Sequence, residues 1–153
     1  MRYEGDRARE EVMAFQVRRV QVWSAEIPDR AGAAAAKLEL LARAGADLEF
    51  VFTRPHPNKP ATGILFLAPV SGPEQIQAAR AAGLAPALDA VMLCVEGENR
   101  PGLGYEIMSR LAIAGINLRG LSVSAIGDRF VTYLALDNAD AASLATQVLA
   151  TLA

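Results

Sequence analysis

The sequence has few of the residues on which catalytic, metal and redox sites depend. Its 153 residues include one histidine and one cysteine, and aromatic residues make up 6% of the chain. The single cysteine, Cys94, excludes an intrachain disulfide framework, and the apolar run around it indicates a buried core position. We therefore expect a cytoplasmic protein. The sequence shows no Ser-His-Asp set, no phosphate-binding glycine loop and no metal-ligand spacing, so we expect no catalytic residue, no metal and no cofactor.

Charge and hydropathy exclude further classes of protein. The formal net charge of −2 gives no reason to expect nucleic acid or an anionic membrane as a partner. No uninterrupted apolar stretch approaches the length that spans a bilayer. Residues 2–11 mix both signs of charge, unlike a signal peptide, so we expect residues 1–14 to be a charged extension with Met1 or Met13 as the natural start. Hydrophobic content of 52% with 21% charged residues indicates a globular protein with a real core.

The sequence repeats itself at an offset of 70 residues. The matching positions carry an acid or amide, an arginine or a glycine, and they are the pairs Asp29 and Asn99, Arg30 and Arg100, Gly32 and Gly102, Gly45 and Gly115, and Asp47 and Asn117. Matches among the many alanines count for little, but these polar and glycine pairs share one offset without a gap. The chain is therefore predicted to contain two tandem modules, at residues 15–86 and 87–153.

Each module is predicted to follow the order β-α-β-β-α. In the first module, alternation at Val20 and Val22 predicts the opening strand, and Ser71 with Glu74 predicts a capping box for the second helix. The predicted elements are strands at 18–26, 48–53 and 63–69 and helices at 33–44 and from 72 to about 82. Residues 84–88 remain for a vestigial fourth strand.

The second module is predicted to lack most of its fourth strand. Its predicted elements are strands at 91–96, 118–125 and 130–136, a helix at 103–114 and a final helix capped by Asn138 or Asp140. In a β-α-β-β-α-β sheet the first strand lies between the third and the fourth, so this loss exposes the edge at Val91 to Val95. We expect the other module, the N-terminal segment or a second chain to cover it, and a homodimer to result.

The repeated motifs resemble those of tandem ACT domains. The residues that carry the resemblance are Asn99-Arg100-Pro101-Gly102 with Ala114-Gly115-Ile116-Asn117-Leu118, and Asp29-Arg30-Ala31-Gly32 with Ala44-Gly45-Ala46-Asp47-Leu48. Ala31 departs from the family pattern, which has proline there. The resemblance covers the chain from about residue 15 onward. It implies an α+β fold of two ferredoxin-like modules, each an antiparallel sheet with helices on one face. It also implies a non-catalytic protein that binds a free amino acid at module or subunit interfaces and regulates an enzyme, a transporter or a transcription pathway.

The chemistry of helix starts places the expected ligand in the loops between strand and helix. Free backbone N–H groups and the positive end of the helix dipole suit a carboxylate, and nearby acid or amide oxygens accept from an ammonium. The expected ligand-binding residues are Asp29, Arg30, Ala31, Gly32, Ala33 and Asp47 in the first module and Asn99, Arg100, Pro101, Gly102, Leu103 and Asn117 in the second. If one kind of site is occupied, we expect it to involve the loop with Pro101.

Several alternatives remain open at this stage. Asp29 and Asn99 would act only as helix caps, and Asp47 and Asn117 only as turn residues, in an ordinary βα connection. The chief rival function is a ligand-free interaction or oligomerisation module that regulates a partner enzyme or a transcription pathway. RNA binding lacks the stacking aromatics and the positive charge it needs. The only histidine, His56, lies in a proline-rich hairpin loop and is expected to be an exposed loop residue rather than a ligand or base.

Overall fold

The computed structural model describes residues 15–152 and divides them into two modules. The first module comprises residues 21–88, and the second comprises residues 15–20 together with residues 89–152. In chain order the elements are β1 (Gln16–Val20), β2 (Trp23–Pro28), α1 (Ala33–Arg43), β3 (Phe50–Pro55), β4 (Thr62–Ala68), α2 (Gly72–Ala81), β5 (Ala85–Pro86), β6 (Val91–Glu98), α3 (Leu103–Ile113), β7 (Leu118–Ile126), β8 (Arg129–Leu136) and α4 (Ala139–Leu149). The expected charged extension at 1–14 lies outside the described residues.

Both modules are four-stranded antiparallel sheets that carry two helices. The strand order is β3-β4-β2-β5 in the first sheet and β7-β8-β6-β1 in the second, so the opening strand of each module is internal. Every pair of neighbouring strands is antiparallel. The structure therefore confirms the predicted α+β class with two ferredoxin-like modules.

The fourth strand of the second sheet comes from the opposite end of the chain. Strand β1 pairs with β6, from Gln16 opposite Glu96 to Val20 opposite Met92. The N-terminal segment is therefore the cover for the edge at residues 91–95, because its backbone groups pair with those of β6. This corrects the expected boundary of the first module from residue 15 to residue 21.

The predicted strand over residues 18–26 is wrong, because it is two strands in two different sheets. The chain leaves the second sheet at Val20 and joins the first at Trp23. The break is held by hydrogen bonds, since the side chain of Gln21 donates to the carbonyls of Val22 and Ala87, and the Ala87 N–H also donates to Val22. The other predicted elements agree with the structure to within two residues at either end.

The first module packs its helices against one face of its sheet. Alternate residues of β2 and β4 form a buried cluster with the helices, and its members are Trp23, Ala25, Ile27, Leu41, Leu65, Leu67, Ala79, Ala82 and Leu84. Helix α1 ends at Arg43, and Gly45, two residues later, has the predicted left-handed conformation with φ +75°. The predicted capping box at the start of α2 is wrong: the Ser71 side chain makes no cap bond, and its backbone N–H donates to Oε1 of Gln75, at 2.9 Å.

The second module has the same layered core. Its buried cluster includes Leu93, Val95, Leu103, Ile107, Leu111, Phe130, Leu134, Leu136, Ala142, Ala145 and Leu149. Of the two predicted caps for α4, Asn138 is the N-cap, and its side chain accepts from the Ala141 N–H at 2.8 Å. None of the described helices is long and apolar enough to cross a membrane.

Candidate functional site

The two loops that join strand to helix have the same backbone conformation. The N-cap residues of α1 and α3 are Gly32 and Gly102, with φ of +86° and +81° and ψ of −11° and 0°. In each loop the N–H of the first helical residue reaches the carbonyl of the preceding arginine at 3.3 Å. Only glycine adopts this left-handed conformation readily, so the repeated glycine has a backbone cause.

Neither helix start is capped by a side chain of the described residues. The cap role considered for Asp29 and Asn99 is therefore wrong, because both residues precede the N-cap by three positions. Their backbone N–H groups tie the loop to the neighbouring hairpin instead, Asp29 to the Ala61 carbonyl at 3.0 Å and Asn99 to the Asp128 carbonyl at 2.7 Å. Among the described residues, the amides of the second and third residues of α1 and α3 are left for another acceptor, with the positive end of the helix dipole behind them.

Each loop also has open space beside it. A Cβ built at Gly32 or at Gly102 meets no atom of the described chain within 4 Å. The glycine of each loop therefore has open space on its Cβ side among the described residues. The arrangement suits a small anion, as expected for a helix N-terminus.

The two loops differ in how their arginines are held. In the second module Arg100 donates to Oε2 of Glu106 at 2.6 Å, and Oε1 of Glu106 accepts from Arg110 at 3.0 Å. In the first module the position equivalent to Glu106 is Ala36, and within residues 15–152 no carboxylate pairs with Arg30. The Arg30 guanidinium is thus available to an anion, whereas Arg100 must leave Glu106 to reach one.

The sequence did not identify Glu106 as part of the second loop. Its spacing of four from Arg110 is a recognisable helical ion pair. Its contact with Arg100 depends on the left-handed turn at Gly102, which brings the loop arginine back over the first helical turn. Only the first of these two contacts has a signal in the sequence.

The predicted acceptor pairs are not brought together within a module. Asp29 precedes α1 and Asp47 follows it, and an 11-residue helix spans about 16 Å. A free amino acid carries its ammonium and carboxylate on one carbon, so it cannot contact both ends of the helix. The same separation applies to Asn99 and Asn117 across α3.

Two side chains of the proline-rich loop approach Glu26 of β2, although most of the loop is exposed. Lys59 Nζ lies 3.0 and 2.9 Å from the two carboxylate oxygens of Glu26, and His56 Nε2 lies 3.5 Å from one of them. His56 Nδ1 accepts from the Asn58 N–H at 3.0 Å, so in the neutral ring the proton sits on Nε2. The expectation of an exposed histidine is wrong, since the side chain is 18% exposed.

The Lys59 hydrogen bond lowers the pKa of Glu26 below its ordinary value of 4.5, and the positive charge of Lys59 and the nearby His56 act in the same direction. Because the folded-state pKa is lowered, the interaction stabilises the fold above pH 4.5 and is lost as the pH falls through the lowered pKa. Lys59→Met is expected to return the pKa of Glu26 towards its ordinary value, which an NMR titration of the carboxyl carbon measures. Lys37→Met, which removes a lysine bonded to the Ala82 carbonyl, is the matched control and should leave that titration unchanged. An identical Glu26 titration in Lys59→Met would contradict the assignment.

No group of three or more His, Cys, Asp or Glu side chains in residues 15–152 is arranged to hold a metal ion. The two matching helix starts make the strand–helix loops the candidate site.

Several solved structures share the two-module fold. A protein of Bacteroides thetaiotaomicron designated BT0572 matches with a TM-score of 0.70 and 14% identity, over 89% of this chain and 99% of that one. The ligand-free regulatory subunit of aspartate kinase from Thermus thermophilus matches with a TM-score of 0.62 and 17% identity, over 90% and 95%. The corresponding subunit from Thermus flavus gives 0.58 and 16%, over the same shares.

No protein-family model matches the sequence, and no curated protein sequence matches it either. At these identities the likeness to solved structures shows the fold. The two-module fold that the chain shares with these structures is the fold that the resemblance to tandem ACT domains implied.

Proposed function

We propose that this protein is a non-catalytic regulator that binds a free amino acid at the loops joining β2 to α1 and β6 to α3. The observation that carries the proposal is the pair of matching helix starts, each with a left-handed glycine at the N-cap, open space beside it and no side-chain cap from the described residues. The proposal is supported by the shared fold with regulatory subunits of aspartate kinase.

The chemistry of the ligand suits these loops. Its carboxylate would accept from the helical amides that follow Gly32-Ala33 or Gly102-Leu103. Its ammonium would donate to the side-chain oxygen of Asp29 or Asn99. Asp47 and Asn117, at the far ends of the helices, enter the site only if a second subunit supplies them.

The first module offers the stronger of the two proposed sites. Asp29 offers a carboxylate for the ammonium, and Arg30, which pairs with no carboxylate of residues 15–152, can bind the carboxylate of the ligand. The second loop has the neutral Asn99, and its Arg100 is paired with Glu106. This reverses the preference for the loop with Pro101, because loop rigidity matters less than an arginine that is already engaged.

Ala36 of α1 and Glu106 of α3 occupy equivalent positions, and exchanging them is expected to shift the amino-acid affinities of the two loops in opposite directions. Glu106→Ala frees Arg100 and should tighten binding at the second loop about two- to fivefold, the range of a partly exposed charge pair. Ala36→Glu provides Arg30 with a carboxylate and should weaken binding at the first loop by a similar factor. Isothermal titration calorimetry measures both constants.

The control for this exchange is Glu74→Ala, which removes an acid from the first turn of α2, a helix that belongs to neither loop. It should leave both affinities unchanged. An equal effect of Glu74→Ala would show that net charge, and not the release of Arg100, alters binding.

A thermal-shift screen against the standard amino acids tests the proposed function. A ligand that binds only the native state stabilises it by about 2.7 kcal/mol at a hundred times its dissociation constant. We expect one or a few amino acids to raise Tm, and expect Gly32→Val with Gly102→Val to abolish the rise. The absence of a shift with any amino acid would contradict the proposal.

A second candidate function is a ligand-free interaction module. The observation that favours it is the exposed apolar surface of β7, where Leu121 and Val123 are 52% and 46% exposed. An unresponsive thermal-shift screen together with stable self-association would favour this candidate.

A further inference from the structure

The helix-free face of the first sheet carries two phenylalanines and an arginine that contact one another. Leu65 and Leu67 of β4 belong to the core beneath the helices, so Phe66 between them faces the other way. Phe52 of β3 lies directly opposite Phe66 and shares its face, and Arg54, two residues further along β3, shares it too. We call the three side chains of Phe52, Arg54 and Phe66 the phenylalanine platform.

Phe66 is the centre of the phenylalanine platform. Its ring centroid lies 6.3 Å from that of Phe52, with the two ring planes 35° apart, which is a favourable arrangement for an aromatic pair. The Cζ atom of Arg54 lies 5.5 Å from the same centroid, within reach of a cation–π contact. Phe52 is nevertheless 47% exposed. The platform therefore presents an aromatic ring to solvent beside a guanidinium.

The charges around the platform favour an anion. Glu26 shares the face with Arg54, because both lie opposite Ile64. Both carboxylate oxygens of Glu26 already accept from Lys59, at 3.0 and 2.9 Å. No carboxylate of residues 15–152 pairs with Arg54. An anion can therefore pair with Arg54, whereas a ligand's ammonium would have to compete with Lys59 for Glu26.

The fold does not require these side chains. Ser122 and Ser124 of β7 stand 70 residues after Phe52 and Arg54, and Ser122 lies opposite Tyr133 as Phe52 lies opposite Phe66. The second sheet thus forms with two hydroxyls at the equivalent positions. Strand pairing gives no reason for a ring and a guanidinium in the first sheet, but binding of a planar, anionic ligand does.

We propose that the phenylalanine platform binds a nucleotide, with its base stacked on Phe52 and its phosphate paired with Arg54. Every base has a planar π face that stacks on an aromatic side chain. The planar guanidinium of an arginine can donate to two phosphate oxygens at once. A nucleoside monophosphate combines the ring with the anion and carries no ammonium. An aromatic amino acid fits less well, because its ammonium finds Glu26 already engaged by Lys59.

The platform suits a single nucleotide rather than a strand of nucleic acid. Single-strand binding combines a groove lined with positive charge and a series of rings for successive bases. Arg54 is the one basic residue in the four strands of this sheet. The proposal goes beyond amino-acid binding and does not depend on it.

Isothermal titration calorimetry of the full chain with adenosine 5′-monophosphate (AMP) tests the proposal. We expect saturable binding of AMP and weaker binding of adenosine, which lacks the phosphate. Phe52→Ala should weaken AMP binding by about five- to 150-fold, the range for loss of one base–aromatic stack, and Phe52→Trp should retain it. Arg54→Met should make AMP and adenosine bind alike. The matched control is Val51→Ala on the opposite face of β3, since Val51 is also 47% exposed, and it should leave both affinities unchanged.

An NMR titration separates the platform from the two helix starts, which also suit anions. AMP should shift the ring protons of Phe52 and the amides of residues 64–66. Inorganic phosphate, which has no base to stack, should leave those ring protons unchanged. AMP-induced shifts confined to residues 32–35 or 102–105 would overturn the proposal and leave amino-acid binding untouched.

Three calorimetric results would also overturn the proposal. They are the absence of saturable binding of AMP, equal losses of affinity in Phe52→Ala and Val51→Ala, and an unchanged preference for AMP over adenosine in Arg54→Met. A single-stranded oligonucleotide that binds far more tightly than AMP at physiological salt would assign the face to nucleic acid instead.

Discussion

Replacing Gly97 with valine is expected to destabilise the second module by about 1–3 kcal/mol, the usual cost of overpacking a core. A Cβ at Gly97 would stand 2.5 Å from Cδ1 and 2.6 Å from Cε1 of Phe15. Phe15 directly precedes β1 and packs against the buried core of this module. Its ring covers the glycine of the neighbouring strand, so the added side chain forces the ring out and loosens β1. Urea denaturation combined with hydrogen exchange at the amides of Leu93 and Val95 measures the effect.

Two further variants make this result specific. Gly120→Val is the control in the same sheet, because its Cβ meets only the Ala135 Cβ, at 3.9 Å, and we expect a change within about 0.5 kcal/mol. In the double variant Phe15→Ala with Gly97→Val, the two substitutions should be markedly non-additive, since they compete for one space. Additive effects would mean that Phe15 does not cover Gly97, and would contradict the placement of β1 in this module.

Valine at Gly32 is expected to weaken amino-acid binding at the first loop at least about tenfold, a loss of 1.4 kcal/mol or more. The φ of +86° is one that a β-branched residue rarely adopts, so the loop must change its conformation and turn its amides away from the ligand. The fold should persist, since no described atom lies within 4 Å of the new Cβ. Gly102→Val is expected to act in the same way on the second loop. Calorimetric titration with the amino acid found in the screen measures both.

The other end of each helix provides the control for these variants. Gly45 and Gly115 have φ of +75° and +73°, and a Cβ there also meets no described atom within 4 Å. Valine at either position imposes a similar backbone strain, about 1–3 kcal/mol, without touching the strand–helix loops. Binding should be unaffected in these variants. A loss of affinity equal to that of Gly32→Val would assign the effect to general destabilisation.

The order of elements within each module was predictable because the signals are local. Helix α1 was predicted over residues 33–44 and is found at Ala33–Arg43, since strong helix formers run between a glycine turn and the left-handed Gly45. Because the sequence repeats, the same pattern predicted α3 over residues 103–114. Gly32 and Gly102, which the sequence singled out as loop residues, are themselves the N-caps.

The sequence could not predict which sheet β1 joins, because strands pair with partners that are distant in the sequence. Alternation at Val20 and Val22 indicates extended chain but does not say which sheet each residue joins. The break at residues 21 and 22 depends on the Ala87 backbone, which is distant in the sequence. The sequence did predict an unpaired edge at β6. The N-terminal segment was one of the three segments expected to cover that edge.

The candidate site was predictable only as far as its loops. Motif similarity placed Asp29 and Asp47 in one predicted ligand set. A sequence motif does not give the distance between its residues in space, and α1 separates these two. The pairing of Arg100 with Glu106 depends on the turn at Gly102 and changed the expected order of the two sites. Leu121 and Val123 share a face through the two-residue period of the strand, but their exposure follows from their position at the sheet edge.

An NMR titration of the isotope-labelled chain with the amino acid found in the screen tests the central claim most directly. We predict that the largest chemical-shift changes occur at the backbone amides of residues 32–35 and, at higher ligand concentration, of residues 102–105. The amides of Gly45 and Gly115, at the far ends of the same helices, should move little. Shifts that leave both helix starts unchanged would contradict the proposed site, and no shifts with any standard amino acid would contradict the proposed function.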